Sequence, residues 1–179
     1  MIREHGKLDE DASVEIAIQM ARALEHAGRA GLIHRDMKPD NILVGKNGVA
    51  KLCDLGLAKA ETGDASLTQD GFVVGTPHYI APEQARGEAD LDARVDIYAL
   101  GATLYMMVTG QVPFDGPTSA IVMARHITDP FPDPRKIVPT LSAGLVTVML
   151  RMVEKDKNDR YADATELRRH AIQWVQSQD

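Results

Sequence analysis

Eight consecutive residues, His34-Arg35-Asp36-Met37-Lys38-Pro39-Asp40-Asn41, gather an imidazole, a guanidinium, carboxylates, an ammonium and a carboxamide. Groups of these types can take up a proton, meet negative charge and offer oxygen to a hard cation. A further carboxylate follows in Asp54-Leu55-Gly56. Short Asp-x-Gly turns are common, so its weight comes from its place directly behind a hairpin signal. The plain alternative for the first cluster is a charge-rich surface loop. Matching six residue types of a motif specified beforehand has a chance probability on the order of 10⁻⁷ to 10⁻⁸ per start position, so that alternative weakens only where this register matches a known motif.

The hairpin between the two clusters is legible in Ile42-Leu43-Val44 and Val49-Ala50-Lys51-Leu52, joined by Gly45-Lys46-Asn47-Gly48. Asn-Gly between two short apolar runs is a strong turn signal. Ahead of them Asp9 suits an N-cap, and Val14, Ala17, Ile18, Ala21 and Leu24 recur with helical spacing until Gly28 and Gly31. Residues 54–83 are aperiodic and rich in Gly, Thr and Asp, a length that in a compact domain is usually functional. Residues 93–109 predict a helix apolar nearly all round, hence buried, stopped by Gly110 and Pro113. Further helices are expected at about 119–128, 142–153 and 163–178, the last opened by a capping box in Asp163-Ala164-Thr165-Glu166. The fold class is therefore mainly α, with small β-hairpins beside a long loop, in one domain spanning 1–179.

The pattern H-R-D-x-x-x-x-N, with Lys two places after the Asp, resembles the eukaryotic-type (Hanks-type) serine/threonine protein kinases, and the likeness runs along essentially the whole chain. It implies the C-terminal lobe of that α+β family fold, with a catalytic loop at 34–41 and a metal-binding and activation segment at 54–83. By this resemblance Asp36 orients the substrate hydroxyl and Lys38 meets the transferring phosphate. Asn41 and Asp54 would bind Mg²⁺, and Leu43 and Cys53 would line the adenine site for ATP; a purely structural core role is the alternative for Leu43. Leu55 stands where the family usually has Phe, keeping apolar character with less area. Gly75-Thr76-Pro77-His78-Tyr79-Ile80-Ala81-Pro82-Glu83 resembles the peptide-docking segment, in which the Thr76 hydroxyl would bridge the catalytic Asp and Lys. His34 joins the structural residues. Glu83 would pair with Arg160, a structural ion pair. Asp96 would accept backbone hydrogen bonds from the catalytic loop, since an acid inside an apolar helix needs such partners; the alternative is an acid on a solvated helix end. Arg35 resembles the arginine that clamps a phosphorylated loop residue. Of Thr62, Ser66, Thr68 and Thr76, Thr68 is the expected switch, against the reading of an ordinary polar loop threonine.

The implied activity is transfer of the ATP γ-phosphate to Ser or Thr of protein substrates. The 33 residues before His34 contain no G-x-G-x-x-G loop and no V-A-I-K-type strand. The larger lobe alone is therefore expected, inactive by itself. Its apolar interlobe face around Leu43, Cys53 and Leu55 would be open to the missing lobe or a partner kinase. A non-catalytic module that docks substrates or a partner kinase competes with this reading, although it would not require Asp36, Lys38, Asn41 and Asp54. A small-molecule phosphotransferase would not need the 75–83 segment. Net charge is −6, with both signs interspersed, which argues against nucleic acid or an anionic membrane as partner. The longest apolar stretch, 95–108, contains Asp96 and is too short to span a bilayer. No apolar signal core follows Met1, and the single cysteine, Cys53, suits a reducing compartment, so a cytoplasmic location is expected. The wording of the 75–84 and 108–114 stretches looks bacterial.

Overall fold

Asp9 opens the first helix by accepting a hydrogen bond from the Ala12 amide at 2.7 Å, with Glu10 and Asp11 at the positive end of the helix dipole. The computed structural model describes residues 6–54, 59–60 and 77–176. Helix α1 (Glu10–Arg29) buries Val14, Ile18, Ala21 and Leu24 along one face. Gly28, expected to end it, lies inside the helix; the chain leaves through Ala30 and then Gly31, whose φ of +66° few other residues adopt readily.

Strand β1 (Leu32–Ile33) leads into the charged loop, which a 3-10 turn at Pro39–Asn41 closes. Strands β2 (Ile42–Val44) and β3 (Ala50–Leu52) then form an antiparallel pair with Ile42 opposite Leu52 and Val44 opposite Ala50. The two-residue period decides which side chains face inward: Ile42 and Val44 pack on the core while Leu43 points away and is 61% exposed. Strand β4 (Lys59–Ala60) pairs antiparallel with β1, Leu32 opposite Ala60 and Ile33 opposite Lys59. Strand β4 lies inside the stretch 54–83 that the sequence reads as aperiodic, because strands of two residues are too short to show alternation.

The short helix α2 (Pro82–Ala85) precedes α3 (Arg94–Thr109), whose residues are buried on nearly every face. Gly110 stops α3 in the left-handed conformation at φ +75°, its N–H returning to the Met106 carbonyl at 2.9 Å. Helices α4 (Ser119–Thr128), α5 (Ala143–Met152) and α6 (Ala164–Gln176) follow. Thr118, Ser142 and Asp163 each accept from an amide of the first turn of the helix they precede. Glu166 reaches back to the Ala162 amide at 2.8 Å, one residue earlier than a standard capping box. The core is centred on α3: α1 and α5 pack against it, and α6 packs on α1 and α5. The fold is mainly α. No helix among the described residues is long and apolar enough to cross a membrane.

Candidate active site

The charged loop hangs from α3. Asp96 is 3% exposed, and its two carboxylate oxygens accept from the backbone amides of His34 and Arg35, each at 2.8 Å. Burial pushes its pKa up to about 6, against the pull of those two amide hydrogen bonds. Its ionised form offers an oxygen to each N–H. Arg35 has φ +66°, a left-handed conformation that costs a residue with a side chain of order 1–3 kcal/mol and persists only where the surroundings enforce it. The Asp96 bonds are part of that enforcement.

His34 is fully buried and links the two clusters. Its Nδ1 lies 3.3 Å from the Asp36 amide, which can only donate, so Nε2 carries the proton and donates to the Cys53 carbonyl at 3.0 Å. Lys38 Nζ lies 2.7 Å from Asp36 Oδ2, forming a partly buried ion pair. Asn41 is buried, and its Nδ2 donates to the Asp36 carbonyl at 2.7 Å and to Asp36 Oδ2 at 3.1 Å. Asp36 is thus in direct contact with both Lys38 and Asn41. Asp54 follows Cys53, whose amide donates to the Asn41 carbonyl at 2.8 Å. That bond and the His34 bond seat the backbone just ahead of Asp54, which is exposed and has φ +65°.

Leu43, at 61% exposure, is not a core residue, and Cys53 is partly exposed. Farther off, Glu83 and Arg160 form a buried bidentate pair at 2.6 and 2.8 Å. Leu55, Thr62, Ser66, Thr68 and Thr76 lie outside the described residues. Gln19 had no signal in the sequence. From α1 its Oε1 accepts from the Ala50 amide at 2.8 Å and its Nε2 donates to the Gly48 carbonyl at 3.1 Å, tying the β2–β3 hairpin to the helix. A glutamine on a half-exposed helix face is too ordinary for pattern reading to single out.

A family profile described as "Protein kinase domain" matches residues 1–174. The chain belongs to the protein kinase family. This kinase chain is 38% identical over 167 residues to a probable serine/threonine-protein kinase of Clostridium acetobutylicum, covering 93% of the chain and 25% of that protein. Against the serine/threonine-protein kinase PknB of Mycolicibacterium smegmatis it is 38% identical over 184 residues, covering 99% of the chain and 28% of the relative. Against the serine/threonine-protein kinase Pkn1 of Myxococcus xanthus the identity is 42% over 161 residues, covering 88% and 23%. The kinase chain thus spans about a quarter of the length of these bacterial relatives.

Proposed function

We propose that this chain carries the catalytic loop of an ATP- and Mg²⁺-dependent protein serine/threonine kinase, which moves the γ-phosphate of ATP to Ser or Thr hydroxyls of protein substrates. The observation that carries the reading is that Lys38 and Asn41 both bond Asp36 on a loop suspended from buried Asp96. Lys38 and Asn41 both bond Oδ2 of Asp36, which leaves Oδ1 to accept the proton of an incoming hydroxyl. One of the three Lys38 donors holds Asp36, and the remaining donors can meet phosphate oxygens. Because Asn41 Nδ2 is committed to Asp36, its Oδ1 is the atom left for a cation. With the exposed Asp54 carboxylate this makes a pair of hard oxygen donors, and Mg²⁺ commonly takes one or two protein ligands plus phosphates and water. Phosphate and water would complete the shell. Bound there, Mg²⁺ would neutralise charge on the phosphate oxygens.

In this proposal Leu43 and Cys53 line the adenine site, and the resemblance adds roles for two residues outside the described ones: Thr76 would bridge Asp36 and Lys38, and a phosphate on Thr68 would meet Arg35. His34, Glu83, Asp96 and Arg160 hold the frame. A cytoplasmic setting belongs to the same reading. Replacing Asp36 with Asn in the full-length protein should lower transfer to a Ser/Thr peptide by about 10²–10⁴-fold with the unfolding midpoint unchanged; equal rates would overturn the assignment. The 179-residue polypeptide assayed alone should be a poor catalyst, because no Gly-rich phosphate loop lies in its first 33 residues.

A second reading, a non-catalytic module that docks substrates, a nucleotide-covering lobe or a partner kinase, is favoured by the exposure of Leu43 (61%) and Val49 (44%) on one hairpin. Calorimetry with ATP and Mg²⁺ separates the two: saturable binding lost in Asp54→Ala supports the kinase, and absence of binding supports the module.

A further inference from the structure

Two adjacent residues of α2 tie the docking segment to different parts of the molecule. Glu83 is anchored on Arg160. Gln84 bonds the catalytic loop: its Nε2 donates to the Arg35 carbonyl at 3.2 Å, while its Oε1 accepts from the Ala81 amide at 3.2 Å. These partners fix the sense of the side-chain amide. Turned over, it would set NH₂ against N–H and oxygen against carbonyl oxygen. The peptide unit between Arg35 and Asp36 is then held at both ends, its carbonyl by Gln84 and its N–H by His34 Nδ1. The neighbouring Arg35 amide is held by Asp96, and Arg35 itself sits at φ +66°. The orientation of that peptide unit sets the direction in which the Asp36 side chain leaves the backbone.

We infer that Gln84 is a positioning residue, coupling the peptide-docking segment to the catalytic loop so that a docked hydroxyl and the Asp36 carboxylate share one frame. The inference rests on the phosphotransfer reading above. Gln84 touches no reacting atom; it acts through the Arg35 carbonyl. The bond spans 49 residues of sequence and joins a helix whose other anchor, Glu83, is buried, so a shift of α2 is passed directly to the loop.

Two variants separate this role from simple helix capping. Q84E keeps an oxygen for the Ala81 amide but turns a second oxygen, in place of the donor, toward the Arg35 carbonyl. Q84M removes both bonds at similar side-chain length. In both, amide hydrogen exchange across residues 34–41 should accelerate by about five- to tenfold, the worth of one hydrogen bond, with α1 and α3 unchanged. In the full-length protein kcat for peptide phosphorylation should fall by about tenfold while KM for ATP holds. If Q84E matches the wild type in exchange and kcat, Gln84 merely caps α2 and the inference fails. Accelerated exchange throughout α1 and α3 also overturns it, because the effect is then on overall folding. Should the wild-type protein transfer no phosphate, the phosphotransfer reading fails separately, and exchange at 34–41 alone decides whether the bridge holds the loop.

Discussion

Arg160 presents five N–H donors to the interior, and each finds an acceptor. Nε bonds the Glu154 carbonyl at 2.8 Å; Nη1 bonds Glu83 at 2.6 Å and the Arg94 carbonyl at 3.0 Å; Nη2 bonds Glu83 at 2.8 Å and the Lys155 carbonyl at 3.3 Å. Arg160→Met leaves the Glu83 carboxylate buried without its cation and should destabilise by about 3–5 kcal/mol, read as a lower urea midpoint at unchanged slope. A loss below about 1 kcal/mol would mean that water replaces the guanidinium. Asp96→Asn exchanges one acceptor for a donor facing a donor, so the His34 or Arg35 amide loses its partner; about 1–3 kcal/mol should be lost in the same measurement. The Asp96 contacts were legible in advance, since an acid in an apolar helix must find donors and the H-R-D loop is where the resemblance puts them. Gln19 and Gln84 were not. Their partners lie 31 and 49 residues away, and nothing local in the sequence distinguishes a bridging glutamine from a solvated one.

Helices α3 and α5 approach so closely that Gly101 is the contact. A Cβ there would lie 2.6 Å from Val153 Cγ1 and 2.8 Å from Met152 Cβ. Gly101→Val should therefore force the helices apart at a cost of about 2–3 kcal/mol, lowering Tm by roughly 4–12 °C in a thermal melt; an unchanged Tm would show that α5 can shift freely. The long helices could be read from their spacing because burial imposes a repeat that local sequence must obey, as Val14 to Leu24 do in α1. The β1–β4 pairing could not, since it joins distant dipeptides that carry no repeat. Gly28 does not stop α1, because a glycine inside a helix costs only about 1 kcal/mol, which the packing of α1 on α3 and α6 outweighs.

For the molecule as a whole, acid sensitivity should centre on His126, which is fully buried with its Nδ1 2.8 Å from the Tyr98 hydroxyl and its ring against Phe114. Burial, helped by the Lys155 charge, lowers its pKa from 6.5 to about 3. Between those values the unfolded chain takes up a proton that the folded chain refuses, so stability falls as pH falls, by about 2 kcal/mol from pH 7 to 5. Asp96 works in the opposite sense over pH 4–6, because its raised pKa makes the folded state the better proton acceptor there. Urea melts of His126→Gln beside the wild type isolate the histidine: between pH 7 and 5 the wild type should lose about 2 kcal/mol relative to the variant, in which the opposing Asp96 contribution remains, and identical pH dependence of the two would refute the assignment. The β1–β4 ladder has a larger consequence. It consists of two residue pairs, Leu32 with Ala60 and Ile33 with Lys59, and it fastens the chain just beyond Asp54 to the chain just before His34. So short a zipper has little strength of its own. Unfastening it would free the chain beyond Asp54 alone, since Ile33 stays buried in the core and the His34 and Arg35 amides stay on Asp96.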